Sequence, residues 1–237
     1  MVKLDCQYYS DFEKISFQGY LVHQENAEIN QVLVIYPDAF GLSSHFKDVA
    51  NAFVKENRAV FCVDLYGNQK ICKNYQEAQY EMNLLDENKK IFTARSRAPI
   101  NFIRNHFGNK DLSISTMGYC FGAVLALEVI RSGMDITSAI TLHGKIFFGT
   151  KNIQKKSSQK VLIFHGEKDP FISMEEIDLF KKEMANLKSD VTVVTFANSA
   201  HSFTNPLAGS NINSGSAYNE LATKRSYKMI ESFLNEN

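Results

Sequence analysis

The sequence has 237 residues, 44% of them apolar and 22% charged, and its 26 Lys and Arg balance its 26 Asp and Glu. That length and mix fit one α/β domain, residues 1–237, with a sizeable core. No like-charge block suggests a nucleic-acid or membrane surface, no apolar run has the length of a signal core or a membrane span, and no Gly-rich nucleotide-binding pattern occurs.

In chain order, residues Phe12 to His23 read as one or two early strands around Gly19, a hairpin edging the main sheet. Gln31 to Tyr36 is a compact apolar run rich in β-branched residues, the mark of a parallel strand buried on both faces. It ends in the turn Pro37-Asp38-Ala39-Phe40-Gly41, after which Ser43 or Ser44 can cap a helix over Phe46 to Asn57. Ala59 to Asp64 is the next buried strand, leaving into Leu65-Tyr66-Gly67. A helical stretch follows from Tyr75 to Phe107, broken near Pro99.

Leu112 to Thr116 is β-prone, and Val124 to Ile130 forms a helix that stops at Gly133. Further strands are expected over Ser138 to Leu142, Val161 to Phe164 and Val191 to Phe196. Helices are expected over Met174 to Leu187, capped by Ser173, and over Ser216 to Leu234. Buried strands alternating with helices predict a doubly wound, mostly parallel sheet with helices on both faces.

Between the Leu112 strand and the Val124 helix stands Gly118-Tyr119-Cys120-Phe121-Gly122. Strand, Gly-X-nucleophile-X-Gly, helix is the pattern of a nucleophile elbow, with Cys where Ser usually sits. The chain must reverse within a few residues, so the nucleophile takes a strained conformation and its crowded neighbours are Gly. The helix N-terminus aimed at Cys120 favours a thiolate. A buried Cys between glycines can also be simple packing.

Function in open parallel sheets gathers at the carboxyl ends of strands. Asp38, Cys120, His143, Asp169 and His201 fall there, and Cys120, Asp169, His201 are in the order nucleophile, acid, base. His201 would accept the thiol proton, Asp169 would orient the imidazole, and Cys120 would attack an acyl carbon to form a thioester. His165 reads as structural, and His143-Gly144 as a loop beside the pocket.

These residues resemble the dienelactone hydrolase family of α/β-hydrolases. The resemblance rests on the Cys120 elbow, on His165-Gly166-Glu167-Lys168-Asp169-Pro170 and on His201-Ser202-Phe203. Weaker matches are Asp64-Leu65-Tyr66-Gly67 and Phe40-Gly41. It implies the α/β-hydrolase fold, the triad Cys120, Asp169 and His201, and a carboxylate supporting the resting nucleophile. That carboxylate is usually Glu, and the matching position here is Asp38. The oxyanion hole would be the backbone N–H groups of Ala39 and Phe121.

The family's carboxylate-binding arginine after the His-Ser-Phe segment has no counterpart in Phe203-Thr204-Asn205, and Arg95 and Arg97 are the candidates for the other. With a pocket lined by Tyr36, Phe40, Tyr119, His143 and Phe203, the expectation is a hydrolase of small neutral esters or lactones. It needs no cofactor and no metal. Cys6, Cys62, Cys72 and Cys120 show no paired metal-ligand spacing and read as free thiols in a cytoplasmic protein, monomer or homodimer. The competing reading is a non-catalytic protein of the same fold using Cys120 as a redox-sensitive or ligand-binding thiol.

Overall fold

A computed structural model describes residues 1–13, 15–146, 159–186 and 188–236. Its eight strands form a mixed, mostly parallel sheet. The chain groups into two units, Met1–Met117 and Gly118–Asn237.

In the first unit, β1 (Val2–Tyr9) and β2 (Ser16–His23) make an antiparallel hairpin in the register Val2 to His23 through Tyr9 to Ser16. The early hairpin therefore begins ten residues upstream of Phe12. Val2, Leu4, Cys6 and Tyr8 share one face, but only Tyr8 of that strand is buried, stacked on Phe17 at 5.3 Å. β2 runs antiparallel to β4 (Arg58–Cys62), and β4 parallel to β3 (Gln31–Tyr36). Every residue of β3 and β4 is buried, as their unbroken apolar runs require.

The helix α1 (Ser44–Phe53) buries Phe46, Val49, Ala50 and Phe53, one stripe at helical spacing. Ser43 occupies its N-cap position without a side-chain cap bond; instead its carbonyl accepts the Phe46 N–H at 3.1 Å. The expected break near Pro99 is displaced. It falls at Asn88, between α2 (Tyr75–Glu87) and α3 (Lys89–Phe107), and Pro99 lies buried inside α3. Asn88 ends one helix through its own N–H on the Leu85 carbonyl and starts the next by accepting the Ile91 N–H at 3.2 Å. An asparagine able to cap both helices outweighs one missing backbone donor.

Asp64, just after β4, is a hub of this unit. Its carboxylate accepts the N–H groups of Gln18, Tyr66, Gly67 and Gln69 at 2.9–3.3 Å. The Tyr8 hydroxyl donates to its carbonyl at 3.0 Å. The Asp-Leu-Tyr-Gly motif thus ties the hairpin to the loop after β4.

β5 (Ser113–Tyr119) runs into the second unit. There α4 (Gly122–Arg131) is buried along its whole length, an all-apolar helix apart from Glu128 and Arg131. Arg131 forks onto Glu183 with two bonds of 2.9 Å. β6 (Ser138–Leu142), β7 (Lys160–Gly166) and β8 (Asp190–Phe196) are parallel neighbours.

Between β7 and β8 lies α5 (Met174–Asn186); Leu187, its expected last residue, lies outside the described residues. Ser173 and Glu176 form a reciprocal cap, Ser173 Oγ accepting the Glu176 N–H at 3.2 Å and Glu176 Oε2 accepting the Ser173 N–H at 2.9 Å. The closing helix α6 (Glu220–Leu234) starts four residues later than expected, because Asn219 caps it at the Ala222 N–H. Among the described residues no helix is long and apolar enough to cross a membrane, and no cluster of His, Cys, Asp or Glu could hold a metal ion.

Candidate active site

The second unit brings three strand-end loops together. Between β5 and α4, Cys120 sits at φ +49°, in the left-handed region that few residues other than glycine adopt. Its N–H donates to the Leu142 carbonyl at 3.2 Å, tying the turn to the end of β6. A Cβ on Gly118 would lie 2.6 Å from the Ala123 backbone nitrogen, so only glycine lets α4 start this close to its strand. Cys120 stays partly exposed at the tip.

The loop after β7 carries Asp169, whose N–H donates to the Gly166 carbonyl at 3.0 Å. Lys168 bonds Ser199 and Glu167 bonds Phe196 through their backbones, fastening this loop to the one after β8. His201 is fixed at its backbone by residues 215–217: its N–H donates to Gly215 and its carbonyl accepts from Ala217, both at 3.0 Å.

Side-chain geometry follows from these anchors. His201 Nδ1 lies 2.8 Å from Asp169 Oδ2, and His201 Nε2 lies 3.0 Å from Cys120 Sγ. The other Asp169 oxygen accepts the Phe171 N–H at 2.8 Å. Burial alone would push the His201 imidazole down. The Cys120 charge, the Asp169 hydrogen bond and the contact with Cys120 outweigh it and hold the group up at about 10.

His143 is buried, at φ +41°, with Nε2 2.7 Å from the Thr204 hydroxyl and its ring 5.4 Å from that of His201. Phe203 is fully buried and packs edge-on against His143, while Tyr119 reaches the Tyr227 hydroxyl at 3.4 Å. His165 is buried, and burial pushes its imidazole down against the raising pull of Asp169 and Glu167. Burial likewise raises the thiols of Cys6, Cys62 and Cys72, and all four cysteines are free.

Phe121 is buried at the N-cap position of α4, and the remaining residues named from the sequence belong to the first unit. Asp38 turns its carboxylate onto the Phe40 N–H at 2.9 Å. The Ala39 carbonyl accepts the Tyr66 hydroxyl at 2.9 Å, which sets that peptide's orientation. Tyr36 is fully buried with its hydroxyl on the Ser96 carbonyl, and Phe40 is exposed. Arg95 forks onto Glu13 at 2.7 and 2.8 Å and donates to the Leu65 carbonyl, so its charge is already matched; Arg97 is exposed. Sequence reasoning passed over Phe171 and Tyr227, because a ring packed on His201 across loops and a hydroxyl of α6 beside that of Tyr119 leave no periodic signal.

The family model described as "Dienelactone hydrolase family" matches residues 17–237. The chain belongs to the dienelactone hydrolase family. As a member of this family it is a carboxylic-ester hydrolase, as the resemblance implied.

Two solved structures share its fold. One is called m3DLH, with a TM-score of 0.88, 25% identity, and coverage of 99% of this chain and 98% of that one. The other is a dienelactone hydrolase-like promiscuous phosphotriesterase from metagenomic libraries, with a TM-score of 0.88, 24% identity and the same coverage. A Bradyrhizobium protein named "Probable 2-oxo-3-(5-oxofuran-2-ylidene)propanoate lactonase" is 20% identical over 182 residues, 72% of each chain.

Proposed function

We propose that this family member hydrolyses small neutral esters or lactones through a Cys120–His201–Asp169 triad and a thioester intermediate. The observation that carries the reading is the unbroken chain from Asp169 Oδ2 through both His201 nitrogens to Cys120 Sγ, at 2.8 and 3.0 Å.

The reacting pair in this reading is a Cys120 thiolate beside a protonated His201, whose imidazole the contacts with Cys120 and Asp169 hold up. The thiolate attacks the carbonyl carbon, and the oxyanion that develops is met by the Phe121 N–H at the start of α4, joined in this reading by that of Ala39. The carbon–oxygen bond breaks, leaving an acyl thioester, and His201 Nε2–H gives its proton to the departing alkoxide. Neutral His201 then takes a proton from water as the hydroxide attacks the thioester. The acid leaves, and thiolate and imidazolium are restored. Asp169 holds Nδ1–H throughout and stabilises the imidazolium. Asp38, in this reading, supports the resting nucleophile, and Tyr36, Phe40, Tyr119, His143 and Phe203 belong to the pocket wall.

A neutral substrate fits an Arg95 already neutralised by Glu13 and a stretch Phe203-Thr204-Asn205 that holds no arginine. The lactonase name of the Bradyrhizobium relative supports including lactones. The family match across residues 17–237 supports one domain. We place the protein in the cytoplasm, on its free cysteines.

The test is hydrolysis of p-nitrophenyl esters of increasing acyl length and of an aromatic lactone, wild type beside Cys120→Ala and His201→Ala. Turnover of short esters lost in both variants supports the triad. Equal activity in wild type and Cys120→Ala sinks the thioester mechanism.

A further inference from the structure

Phe171 is 62% exposed, yet its ring packs against His201 with centroids 5.1 Å apart and planes at 79°. Large apolar side chains that face solvent are common singly and need no explanation. This one differs because its position is fixed from three sides. Its N–H is held by Asp169 Oδ1 at 2.8 Å. The preceding Pro170 packs over Gly215, where any Cβ would lie 2.8 Å from the proline Cγ. Gly215 sits at φ +81° and itself receives the His201 N–H. Asp169 thus holds this residue by its backbone and His201 meets its ring, while most of the residue's surface stays open.

We propose that Phe171 is a specificity residue that binds the leaving-alcohol side of the substrate and selects aromatic or bulky apolar alcohols. The inference rests on the triad reading above. The leaving oxygen must come within about 3 Å of His201 Nε2 to receive its proton. The group attached to that oxygen then lies beside the ring packed on the same imidazole. In the triad reading the carbonyl oxygen is held separately, by the Phe121 N–H at the N-cap position of α4. Covering an open aromatic face with a second ring contributes through apolar burial and edge-to-face or offset stacking. A methyl or ethyl group covers far less of it.

The experiment compares kcat/KM for benzyl acetate and ethyl acetate, whose alkoxides are of similar basicity, in wild type, Phe171→Ala, Phe171→Tyr and Cys120→Ala. The benzyl-to-ethyl ratio is expected to fall about tenfold in Phe171→Ala, mostly through KM, and to recover in Phe171→Tyr. Thermal unfolding checks that the variants keep their fold. An unchanged ratio overturns the proposal, whether both esters lose activity together, as a ring acting only through His201 would cause, or neither does. Wild-type activity in Cys120→Ala is a separate outcome, which overturns the triad reading and this one with it.

Discussion

Replacing Asp169 with Asn tests how the triad's geometry sets its chemistry. Asp169 Oδ1 accepts the Phe171 N–H at 2.8 Å while Oδ2 faces His201 Nδ1 at 2.8 Å. In Asp169→Asn the amide oxygen must stay on the Phe171 donor, so the NH2 turns to Nδ1. The imidazole must then present a lone pair at Nδ1 and carry its proton on Nε2, the nitrogen 3.0 Å from Sγ that has to receive one. Losing one charge-assisted bond removes about 1.5–3 kcal/mol from the imidazolium, one to two pK units. Together with the wrong tautomer this lowers kcat/KM by about 10³–10⁴. The assay is p-nitrophenyl acetate hydrolysis, with circular dichroism to confirm the fold. A variant within tenfold of wild type would refute the reasoning.

Three further outcomes are expected. Folded His201 keeps its proton up to about pH 10, whereas the unfolded imidazole releases it near 6.5. Paired with a thiolate, that gain is offset until the unfolded thiol ionises at about 8.5, so the net stability is lost as pH rises from about 8.5 toward 10; Tm against pH should fall across that window in wild type, and a His201→Gln variant with the same slope would contradict it. Gly118→Ala drives a methyl against the Ala123 backbone nitrogen and should cost about 1–3 kcal/mol or prevent folding, read from denaturant midpoints; a midpoint equal to wild type would show the elbow can shift. Asp64→Asn keeps one acceptor oxygen where four backbone N–H groups converge and should cost about 3 kcal/mol with ester hydrolysis intact once folded; undiminished stability would mean the hub is redundant.

The sheet was legible where strands are buried on both faces. Gln31–Tyr36 and Ser138–Leu142 have the bounds read from composition, since a continuous apolar run between turn residues leaves little alternative. The edge strand Val2–Tyr9 was passed over because its inward face buries only Tyr8, too little apolar contrast for alternation to stand out. Asn88 rather than Pro99 divides the second and third helices, because a cap is a hydrogen bond to particular atoms while a proline removes only one. Cys120, Asp169 and His201 could be named together because strand ends are fixed in number and chain order is readable. Asp38 and Arg95 show the limit: residue type and place were visible, but the Phe40 N–H and the Glu13 carboxylate they engage depend on loop conformation. Phe171 was silent for the same reason.

Cys120, His143 and Ser202 each hold a positive φ, at 49°, 41° and 54°, and all three stand in the loops that shape the reactive centre. Each such residue outside glycine costs on the order of 1 kcal/mol, an energy stored by the surrounding fold. A laboratory selection for heat resistance alone would therefore be drawn to these positions. Ser202→Gly relieves backbone crowding, an effect partly offset by the freer unfolded chain, and should raise Tm by about a degree. The same change frees the peptide that follows His201, and the imidazole would sample orientations away from the sulfur. Survivors of such a selection would be sturdier and slower, and a screen that scores both properties would keep the strained residues.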